Sequence, residues 1–259
     1  MKELKILCWN VNGVRAAKGK GFMEWLYKES PDILCLQETK ANPEQLDKDL
    51  REPRGYHAYW NYPEQAKGYS GVAIFTKEKP VKVQNGFGIP EFDAEGRTII
   101  IEYPPFTLFN VYFPNGKKDE TRLKYKLDFY EAFLKSVDPL MDKGAKLIIC
   151  GDFNTAHSEI DLARPKENSN ISGFLPVERG WMDKFVTHGY IDTFRHFHKE
   201  PNQYSWWDLK TRARERNVGW RIDYFFVTEN LLKSVASAFI MQEVMGADHC
   251  PVGIILKMT

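Results

Sequence analysis

The sequence predicts an α/β fold, a four-layer sandwich in which two stacked mixed β-sheets are flanked by helices. Short runs rich in Ile, Val, Phe and Tyr recur along the chain, and Gly, Pro, Asn or Asp bounds each of them, as expected for strands. Helical patterns separate some of these runs, whereas others follow each other directly. This mixture of crossovers and strand–strand pairs favours a sandwich over a uniform βαβ repeat.

The predicted strands are short and follow one another along the whole chain. They cover residues 4–9, 33–37, 71–76, 98–102, 107–113, 147–150, 222–227, 236–241 and 252–256. Four extended polar segments separate them, at 53–70, 114–122, 155–176 and 199–221. Long connections in a compact protein often carry function.

Three segments carry helical patterns. In KGFMEWLYKESPD the apolar residues Phe22, Trp25 and Leu26 have helical spacing, and the pattern stops before Pro31. DETRLKYKLDFYEAFLKSVDPL is the longest segment, and one stripe on it holds Leu123, Leu127, Tyr130 and Leu134. The third, PVERGWMDKFVTHG, ends with a Gly stop signal.

Composition sets few limits on function. The 259 residues fit one large domain or two small ones, and the net charge of +1 neither indicates nor excludes a phosphate-bearing partner. No C-x-x-C pair occurs among Cys8, Cys35, Cys150 and Cys250, which we expect to be reduced, buried thiols. A charged N-terminal stretch and the lack of a long apolar run indicate an intracellular protein with no membrane partner.

Polar side chains stand at six predicted strand ends. They are Asn10 and Asn12, Gln37 and Glu38, Tyr112 and Asn115, Asp152 and Asn154, Asp223, and Asp248 and His249. Any one of them is explained well enough by a turn, a cap or a solvated loop. If all six ends converge on one edge of stacked sheets, however, they form a cluster of oxygen ligands with one imidazole.

Such a cluster suits a hard cation such as Mg²⁺, which binds carboxylate and carboxamide oxygens. The sequence has no Cys/His spacing for zinc, no phosphate-binding P-loop motif and no G-x-S-x-G elbow. A Mg²⁺-assisted attack on a phosphate therefore fits this residue set best.

Two local arguments concern the orientation of these side chains. If strand geometry persists through GDFN, Asp152 and Asn154 point to the same side and Phe153 points back into the sandwich. Adjacent side chains in extended backbone diverge, so Asp248 is a poor partner for His249, and Asp223 from another strand is the better one. Such a pairing would raise the pKa of the histidine and favour imidazolium.

Eight motifs in order carry a resemblance to a known family. They are WNVNGVRA, LQETK, GYSGVAI, VYFPNG, GDFNTAH, EIDLARPK, NVGWRIDYFFV and GADHCP. With them the chain closely resembles, from about residue 6 to 256, the exonuclease III family of apurinic/apyrimidinic endonucleases in the endonuclease/exonuclease/phosphatase superfamily. The resemblance implies a single catalytic domain over residues 1–259 with its active site at one edge of two stacked sheets.

The resemblance also implies roles for the strand-end residues. The implied catalytic residues are Tyr112, Asp152, Asn154, Asp223 and His249. The implied metal ligands are Asn10, Glu38, Asp248, Asp152 and Asn154, with Glu38 as the main carboxylate, Mg²⁺ as the cofactor and Mn²⁺ as a substitute. One or two metal ions, and Asp152, His249 or the tyrosine as the base, all remain open.

Hydrolysis of the phosphodiester 5′ to an abasic site, leaving a 3′-hydroxyl, is the implied reaction. Family members also act as 3′→5′ exonucleases, clean 3′ ends or incise at damaged or deaminated bases. The implied partner is damaged double-stranded DNA, bound by a monomer.

The predicted DNA-binding residues combine basic, amide, aromatic and aliphatic side chains. They are Arg15, Tyr69, Asn115, Lys117, Trp206, Lys210, Arg212, Arg214, Trp220 and Ile222. Alone, the basic ones would be solvated surface charges, but they lie beside catalytic segments, which favours phosphate contact. By the same resemblance, Trp206, Trp220 and Ile222 line a pocket for a flipped abasic sugar, whereas Trp207 is expected in the core.

Two other functions are open to this residue set. A phosphatase of the same superfamily, acting on a lipid or inositol phosphate, predicts no basic stretch at 209–216 and no aromatic sugar pocket. A catalytically dead nucleic-acid-binding module predicts losses among the five catalytic residues, and none is lost.

Overall fold

The computed structural model describes residues 2–64, 66 and 68–258. These residues form fourteen strands: β1 Lys2–Asn10, β2 Ile33–Gln37, β3 His57–Asn61, β4 Val72–Thr76, β5 Lys82–Asn85, β6 Thr98–Tyr103, β7 Phe106–Tyr112, β8 Leu147–Asp152, β9 Tyr190–Asp192, β10 Trp206–Trp207, β11 Gly219–Trp220, β12 Asp223–Thr228, β13 Val235–Ile240 and β14 Val252–Met258. They also form nine α-helices: α1 Val14–Lys18, α2 Phe22–Glu29, α3 Lys48–Arg51, α4 Pro90–Asp93, α5 Glu120–Asp142, α6 Pro165–Asn168, α7 Pro176–Thr187, α8 Thr193–Phe197 and α9 Glu229–Leu232. Three 3₁₀ turns lie at Pro43–Gln45, Glu159–Asp161 and Ala213–Arg216.

Twelve of the strands form two six-stranded sheets. The first has the order β13-β14-β1-β2-β4-β3 and the second the order β5-β6-β7-β8-β12-β9, while β10 and β11 pair separately. Both large sheets are mixed, because β1–β2 and β7–β8 are parallel and the other pairs are antiparallel. The predicted fold class of two stacked mixed sheets flanked by helices is therefore confirmed.

Alternation along the strands builds the layers. In β1, Ile6 and Cys8 face the second sheet, whereas Leu7 and Trp9 face helix α2. The second sheet packs its other face against α5 and α7 through a cluster rich in aromatic side chains. All four cysteines are reduced and buried, as predicted.

Helix α5 covers the second sheet with a buried face that includes a lysine. Its N-cap is Asp119, whose side chain accepts a hydrogen bond from the backbone N–H of Arg122 (2.8 Å). The predicted stripe is right for Tyr130 and Leu134, which are buried, whereas Leu123 and Leu127 are only half-buried. The rest of the buried face is Lys126, Phe129, Phe133 and Val137.

The nine predicted strands are all present, with ends shifted by at most two residues. The five strands that were not predicted are sheet edges or very short. β3, β5 and β9 each form one edge of a six-stranded sheet. β3 and β5 hold half-buried or exposed residues, so their sequences lack the apolar run of a buried strand. The β10–β11 pair is only two residues long on each side.

The topology brings the polar strand ends together. The carboxyl ends of the parallel strands β7 and β8 pair Tyr112 with Asp152, and the start of β12 pairs Asp223 with the same residue. In the first sheet, Asn10 at the end of β1 pairs with Gln37 at the end of β2, and β14 begins beside the end of β1.

No helix in the part of the chain that the structure describes is long and apolar enough to cross a membrane.

Candidate active site

Asp152 is the centre of a buried polar cluster. It is 1% exposed, and its Oδ2 accepts a hydrogen bond from Nδ2 of Asn10 (2.9 Å). The same Asn10 nitrogen donates to Oε1 of Glu38 (3.0 Å), so that one carboxamide links a carboxylate from each sheet. Burial raises the pKa of Asp152 to about 7; His249 opposes this rise, while Asp223 and Glu38 add to it.

His249 faces this carboxylate with a partner behind it. Its Nε2 lies 3.8 Å from Oδ2 of Asp152, and its Nδ1 lies 2.8 Å from Oδ2 of Asp223, the partner expected from the sequence. Although burial alone would lower the pKa of His249, the neighbouring carboxylates, Asp223 first, raise it to about 10. The carboxylates around His249 therefore favour its protonated form.

Ser205 supports the carboxylate of Asp223 and was missed in the sequence. Its hydroxyl donates to Oδ2 of Asp223 (2.6 Å) and accepts from the backbone N–H groups of Ile222 and Asp223 (3.1 Å each). Both Ser205 and Asp223 are buried. Ser205 lies in the YSWWD stretch, where the two tryptophans are the more conspicuous feature.

The residues fit a hard cation in part. Among the described residues, one group of ligand atoms lies within 4.8 Å of one another, from Glu38, Asp152 and His249. Two of the three are carboxylates, the donors that Mg²⁺ prefers. Lys40 contacts Oε2 of Glu38 (2.8 Å), and this ammonium, against the effect of burial, lowers the pKa of Glu38.

Two residues expected as metal ligands are oriented differently. Asn10 turns its Nδ2 to the carboxylates, while its Oδ1 accepts from the backbone N–H of Asn12 (3.0 Å), so that it orients Glu38 and Asp152. Asp248 lies outside the cluster. Its Oδ1 accepts from Nδ2 of Asn12 (3.0 Å) and its Oδ2 from Nε1 of Trp206 (3.1 Å), because adjacent side chains diverge and His249 takes the inner position.

A turn, not a continued strand, places Asn154 beside Asp152. Strand β8 ends at Asp152, and Asn154 adopts a left-handed backbone (φ 52°). The backbone N–H of Asn154 donates to Oδ1 of Asp152 (2.7 Å), and its Nδ2 lies 3.2 Å from Oδ2. Asn115 donates to Oδ1 of Asn154 (3.0 Å). Phe153 is buried between the second sheet and the helices, stacked on Phe113.

Left-handed backbone recurs around the site. Asn12, Glu38 and Lys40 have φ of 46°, 48° and 51°. Residues held in this region cost of the order of 1 kcal/mol or more each and persist only where the surrounding contacts determine them. The contacts around the site therefore hold the residues that follow β1 and β2 in a conformation that Glu38 and Lys40 rarely adopt, although Asn adopts it more readily.

Tyr112 forms a further wall of the cluster. It is 7% exposed, and the guanidinium of Arg97 lies 4.6 Å from its ring centroid. Burial, reinforced by the negative charge of Glu38, raises the pKa of Tyr112 well above its ordinary value. The phenol is therefore neutral and can donate a hydrogen bond.

A basic cleft opens beside Tyr112. Its volume is about 560 Å³, and it is lined by Tyr69, Arg97, Tyr112, Asn115, Lys117, Lys118 and Arg122. The Tyr69 hydroxyl accepts from Nη2 of Arg97 (2.7 Å) and Nη2 of Arg122 (2.6 Å). Both arginines also donate to Oε2 of Glu95 (2.5 and 2.8 Å), so that this carboxylate offsets part of the positive charge of the cleft. Sequence reasoning singled out neither arginine.

The aromatic residues form an apolar pocket on the other side. Trp206 and Trp220 meet edge to face with centroids 6.3 Å apart, and they pack on a cluster of Ala156, Leu162, Phe174 and Ile222. The ammonium of Lys117 lies 4.8 Å from the ring of Trp206 and 5.5 Å from that of Trp220. Trp207 is in the core, as predicted.

The remaining basic residues divide into two kinds. Arg15 in α1, together with Lys210 and Arg212, is exposed. Arg214 is turned inward instead, where its Nη2 donates to the carbonyl oxygens of Gln242 (2.7 Å) and Val244 (2.6 Å) and its guanidinium stacks on Trp207 at 4.5 Å. The expectation that Arg214 contacts DNA does not agree with this position, because these contacts occupy its guanidinium.

Comparison with known proteins places this geometry in a family. The model of the endonuclease/exonuclease/phosphatase family matches residues 7–249. The chain is 44% identical to an exodeoxyribonuclease of Bacillus subtilis (98% of this chain, 100% of the relative) and 40% identical to a DNA-(apurinic or apyrimidinic site) endonuclease of Dictyostelium discoideum (99% and 71%).

A solved structure gives the same answer. The AP endonuclease LMAP of Leishmania major is 30% identical and superposes with a TM-score of 0.90, covering 100% of this chain and 89% of that one. The chain therefore belongs to the endonuclease/exonuclease/phosphatase family of phosphodiester hydrolases, alongside its exodeoxyribonucleases and apurinic/apyrimidinic endonucleases.

Proposed function

We propose that this protein is a Mg²⁺-dependent DNA repair nuclease that hydrolyses the phosphodiester 5′ to an abasic site and leaves a 3′-hydroxyl. One observation carries the proposal. The buried carboxylate of Asp152 and the half-buried carboxylate of Glu38 share the Asn10 amide and face the imidazolium of His249, between a basic cleft and an aromatic pocket.

Asp152 is the best candidate to take the proton from the attacking water. In the absence of metal its pKa is raised to about 7, near the operating pH, where a general base is most effective, and a cation at the site would favour its ionised, proton-accepting form. Asn154 and Asn10 fix its two oxygens. Tyr112 and His249 are the alternative bases, but the high pKa of the phenol and the positive charge of the imidazole suit both better as hydrogen-bond donors.

The negative charge that develops on the phosphate would meet two donors. His249 offers Nε2–H and Tyr112 its hydroxyl before the substrate arrives, whereas the Nδ2 protons of Asn154 are directed at Asp152 and at the carbonyl of Phe113, so that Asn154 orients the carboxylate. Glu38 and Asp152 would hold Mg²⁺, or Mn²⁺ in its place. When bound, the ion would neutralise phosphate charge and lower the pKa of bound water.

DNA would lie across both flanks of this centre. Tyr69, Asn115 and Lys117 border the basic cleft, and Arg15, Lys210 and Arg212 are exposed, whereas Arg214 is turned inward onto backbone carbonyls. Trp206, Trp220 and Ile222 form an apolar wall suited to a flipped abasic sugar, which has no base to unstack. A lipid or inositol phosphatase would need neither the exposed basic stretch nor this wall.

The same centre can act on other phosphodiesters. We include 3′→5′ exonuclease activity, removal of blocked 3′ ends and incision at damaged or deaminated bases, because each presents a phosphate beside a nucleotide that leaves the stack easily. We further propose that a monomer acts, since every residue of the centre comes from one chain. Sedimentation at working concentration tests this point.

Matched duplexes test the function. They carry an abasic site, a uracil or a recessed 3′ end at one position, and each is incubated with Mg²⁺, with Mn²⁺ and with EDTA. We expect cutting 5′ to the abasic site in both metals and none in EDTA, and no cutting by an Asp152→Asn variant. If no duplex is cut in an EDTA-sensitive way by the wild-type protein, the proposal is wrong.

A further inference from the structure

A buried ion pair lies directly behind the turn that carries Asp152 and Asn154. Lys126 in α5 and Glu178 in α7 are both 0% exposed, and their Nζ and Oε1 atoms are 2.6 Å apart. Neither residue reaches the cleft, and neither belongs to the ligand set. Their burial separates them from any direct contact with DNA or with a metal ion.

The ammonium of Lys126 is hydrogen-bonded to the turn at Asn154 and Thr155. It donates to the backbone carbonyl of Asn154 (2.8 Å), to Oγ1 of Thr155 (2.8 Å) and to Glu178, which accounts for all three of its protons. Tyr130, one turn further along α5, donates to the carbonyl of Phe153 (2.6 Å). Helix α5 therefore holds two successive carbonyls of the segment that follows strand β8.

Glu178 anchors the ammonium from the other side. Its Oε1 also accepts from the hydroxyl of Ser172 (2.8 Å), and its Oε2 accepts from the backbone N–H groups of Gly173 (2.6 Å) and Leu175 (3.0 Å). Both oxygens are fully used, so the position of Lys126 is fixed by α7 and by the segment before it.

Stability alone does not explain such a pair. Burying two charges is costly because both lose their hydration, and an ion pair is often no more stable than apolar residues of similar volume in its place. The pair instead supplies a directional donor to the carbonyl of a residue with a left-handed backbone, which a Met or Leu at position 126 would leave unpaired. Its value lies in the orientation of the turn.

We propose that Lys126 and Glu178 are positioning residues, which hold the Asp152–Thr155 turn so that Asp152 and Asn154 keep their working geometry. This inference rests on the proposed function of those two side chains. A misplacement of about 1 Å in such a site lowers the rate by about a hundredfold. The pair therefore acts on the reaction rate through Asn154 and without touching the substrate.

A double variant tests how the pair affects the position of the turn without leaving an unpaired charge in the interior. Lys126→Met alone would leave Glu178 charged and unpaired in the interior, whereas Lys126→Met with Glu178→Gln removes both charges at similar volume. The matched control is Lys184→Met with Glu131→Gln, which removes an exposed ion pair (2.7 Å) between the same two helices that does not touch the turn.

Two readouts are taken on each protein, kinetics on the abasic duplex and backbone hydrogen exchange over residues 152–156. For the buried double variant we expect a fall in kcat of about ten- to a hundredfold, an unchanged KM and faster exchange in that segment. We expect the control to resemble the wild type in both. A folded double variant with wild-type kcat and wild-type exchange overturns the inference.

The design keeps the two proposals apart. If the wild type does not cut the abasic duplex, the proposed function fails, and hydrogen exchange alone still tests whether the pair holds the turn. If the double variant does not fold, Lys126→Arg alone is the test, since it keeps both charges of the pair and changes only the geometry of the donor. Exchange over 152–156 must then rise and kcat must fall, and unchanged values of both overturn the inference.

Discussion

Replacing Asp152 by Asn should stabilise the metal-free protein at neutral pH while abolishing its activity. The carboxylate is 1% exposed, and burial together with Asp223 and Glu38 raises its pKa to about 7. In the unfolded chain its pKa is about 3.9. A raised folded pKa means that this group's contribution to stability is complete below about pH 4 and is lost as pH rises through about 7.

The magnitude follows from the difference between the two pKa values. A shift of about three units corresponds to about 4 kcal/mol of unfavourable free energy when the carboxylate is ionised in the folded state. Asn removes this charge, but it has one acceptor oxygen where Asp152 uses two, for Asn10 and for Asn154. Since a lost hydrogen bond costs about 1 kcal/mol, the net gain should be about 1–3 kcal/mol above pH 7.

Urea unfolding in EDTA between pH 4 and 8.5 measures this effect. The advantage of the variant should grow from pH 4 to 7 and then level off. Asp128→Asn, which removes an exposed carboxylate of α5, controls for the loss of one charge and should show no such trend. A variant that is less stable than the wild type at pH 8, or a difference that does not vary with pH, would refute the reasoning.

Three further predictions concern residues around the site. Arg212→Gln should reduce the slope of log affinity for DNA against log salt concentration by about 0.9. Arg214→Gln should leave this slope unchanged and lower the free energy of unfolding by about 2 kcal/mol, because the guanidinium of Arg214 donates to backbone carbonyls. Equal slopes in the two variants would contradict this prediction. Ser205→Ala should lower kcat about tenfold in steady-state assays, because the Ser205 hydroxyl holds the Asp223 carboxylate that pairs with His249. Ser205→Thr keeps the hydroxyl and should retain the wild-type kcat, and a low kcat in this variant would count against the prediction. Asp161→Ala should lower the free energy of unfolding by about 3–5 kcal/mol, because it leaves the buried Arg221 with one carboxylate partner. Chemical denaturation measures this loss, and a loss under 1 kcal/mol would contradict the prediction.

Much of the site follows from properties that a sequence displays. Asp152, Asp223 and Tyr112 stand at the ends of apolar runs, and strand pairing brings such ends to a common edge. The pairing of Asp223 with His249 follows from the divergence of adjacent side chains, and the structure has this contact at 2.8 Å. These inferences succeed because they depend on backbone periodicity, which local sequence determines.

Side-chain orientations that depend on tertiary contacts could not be predicted from the sequence. The basic stretch at 209–216 gives no sign that Arg214 faces inward, because its partners are backbone carbonyls some 30 residues away. Asp248 looks like a metal ligand in GADHCP, yet Asn12 and Trp206 occupy its oxygens. The burial of Lys126 could not be predicted either, because a lysine on a helix is normally exposed to solvent.

The like charges that destabilise the folded protein in EDTA are also what would bind the cation. Asp152 and Glu38 are kept close by Asn10 and by the left-handed backbone at Glu38, so their repulsion is built into the fold. An ion that binds only the folded state stabilises it by mass action. Saturating Mg²⁺ should therefore stabilise the wild type more than the Asp152→Asn variant, and thereby reduce or reverse the advantage of the variant in EDTA. Stabilisation of both proteins to the same extent would mean that Asp152 does not contribute to the metal site.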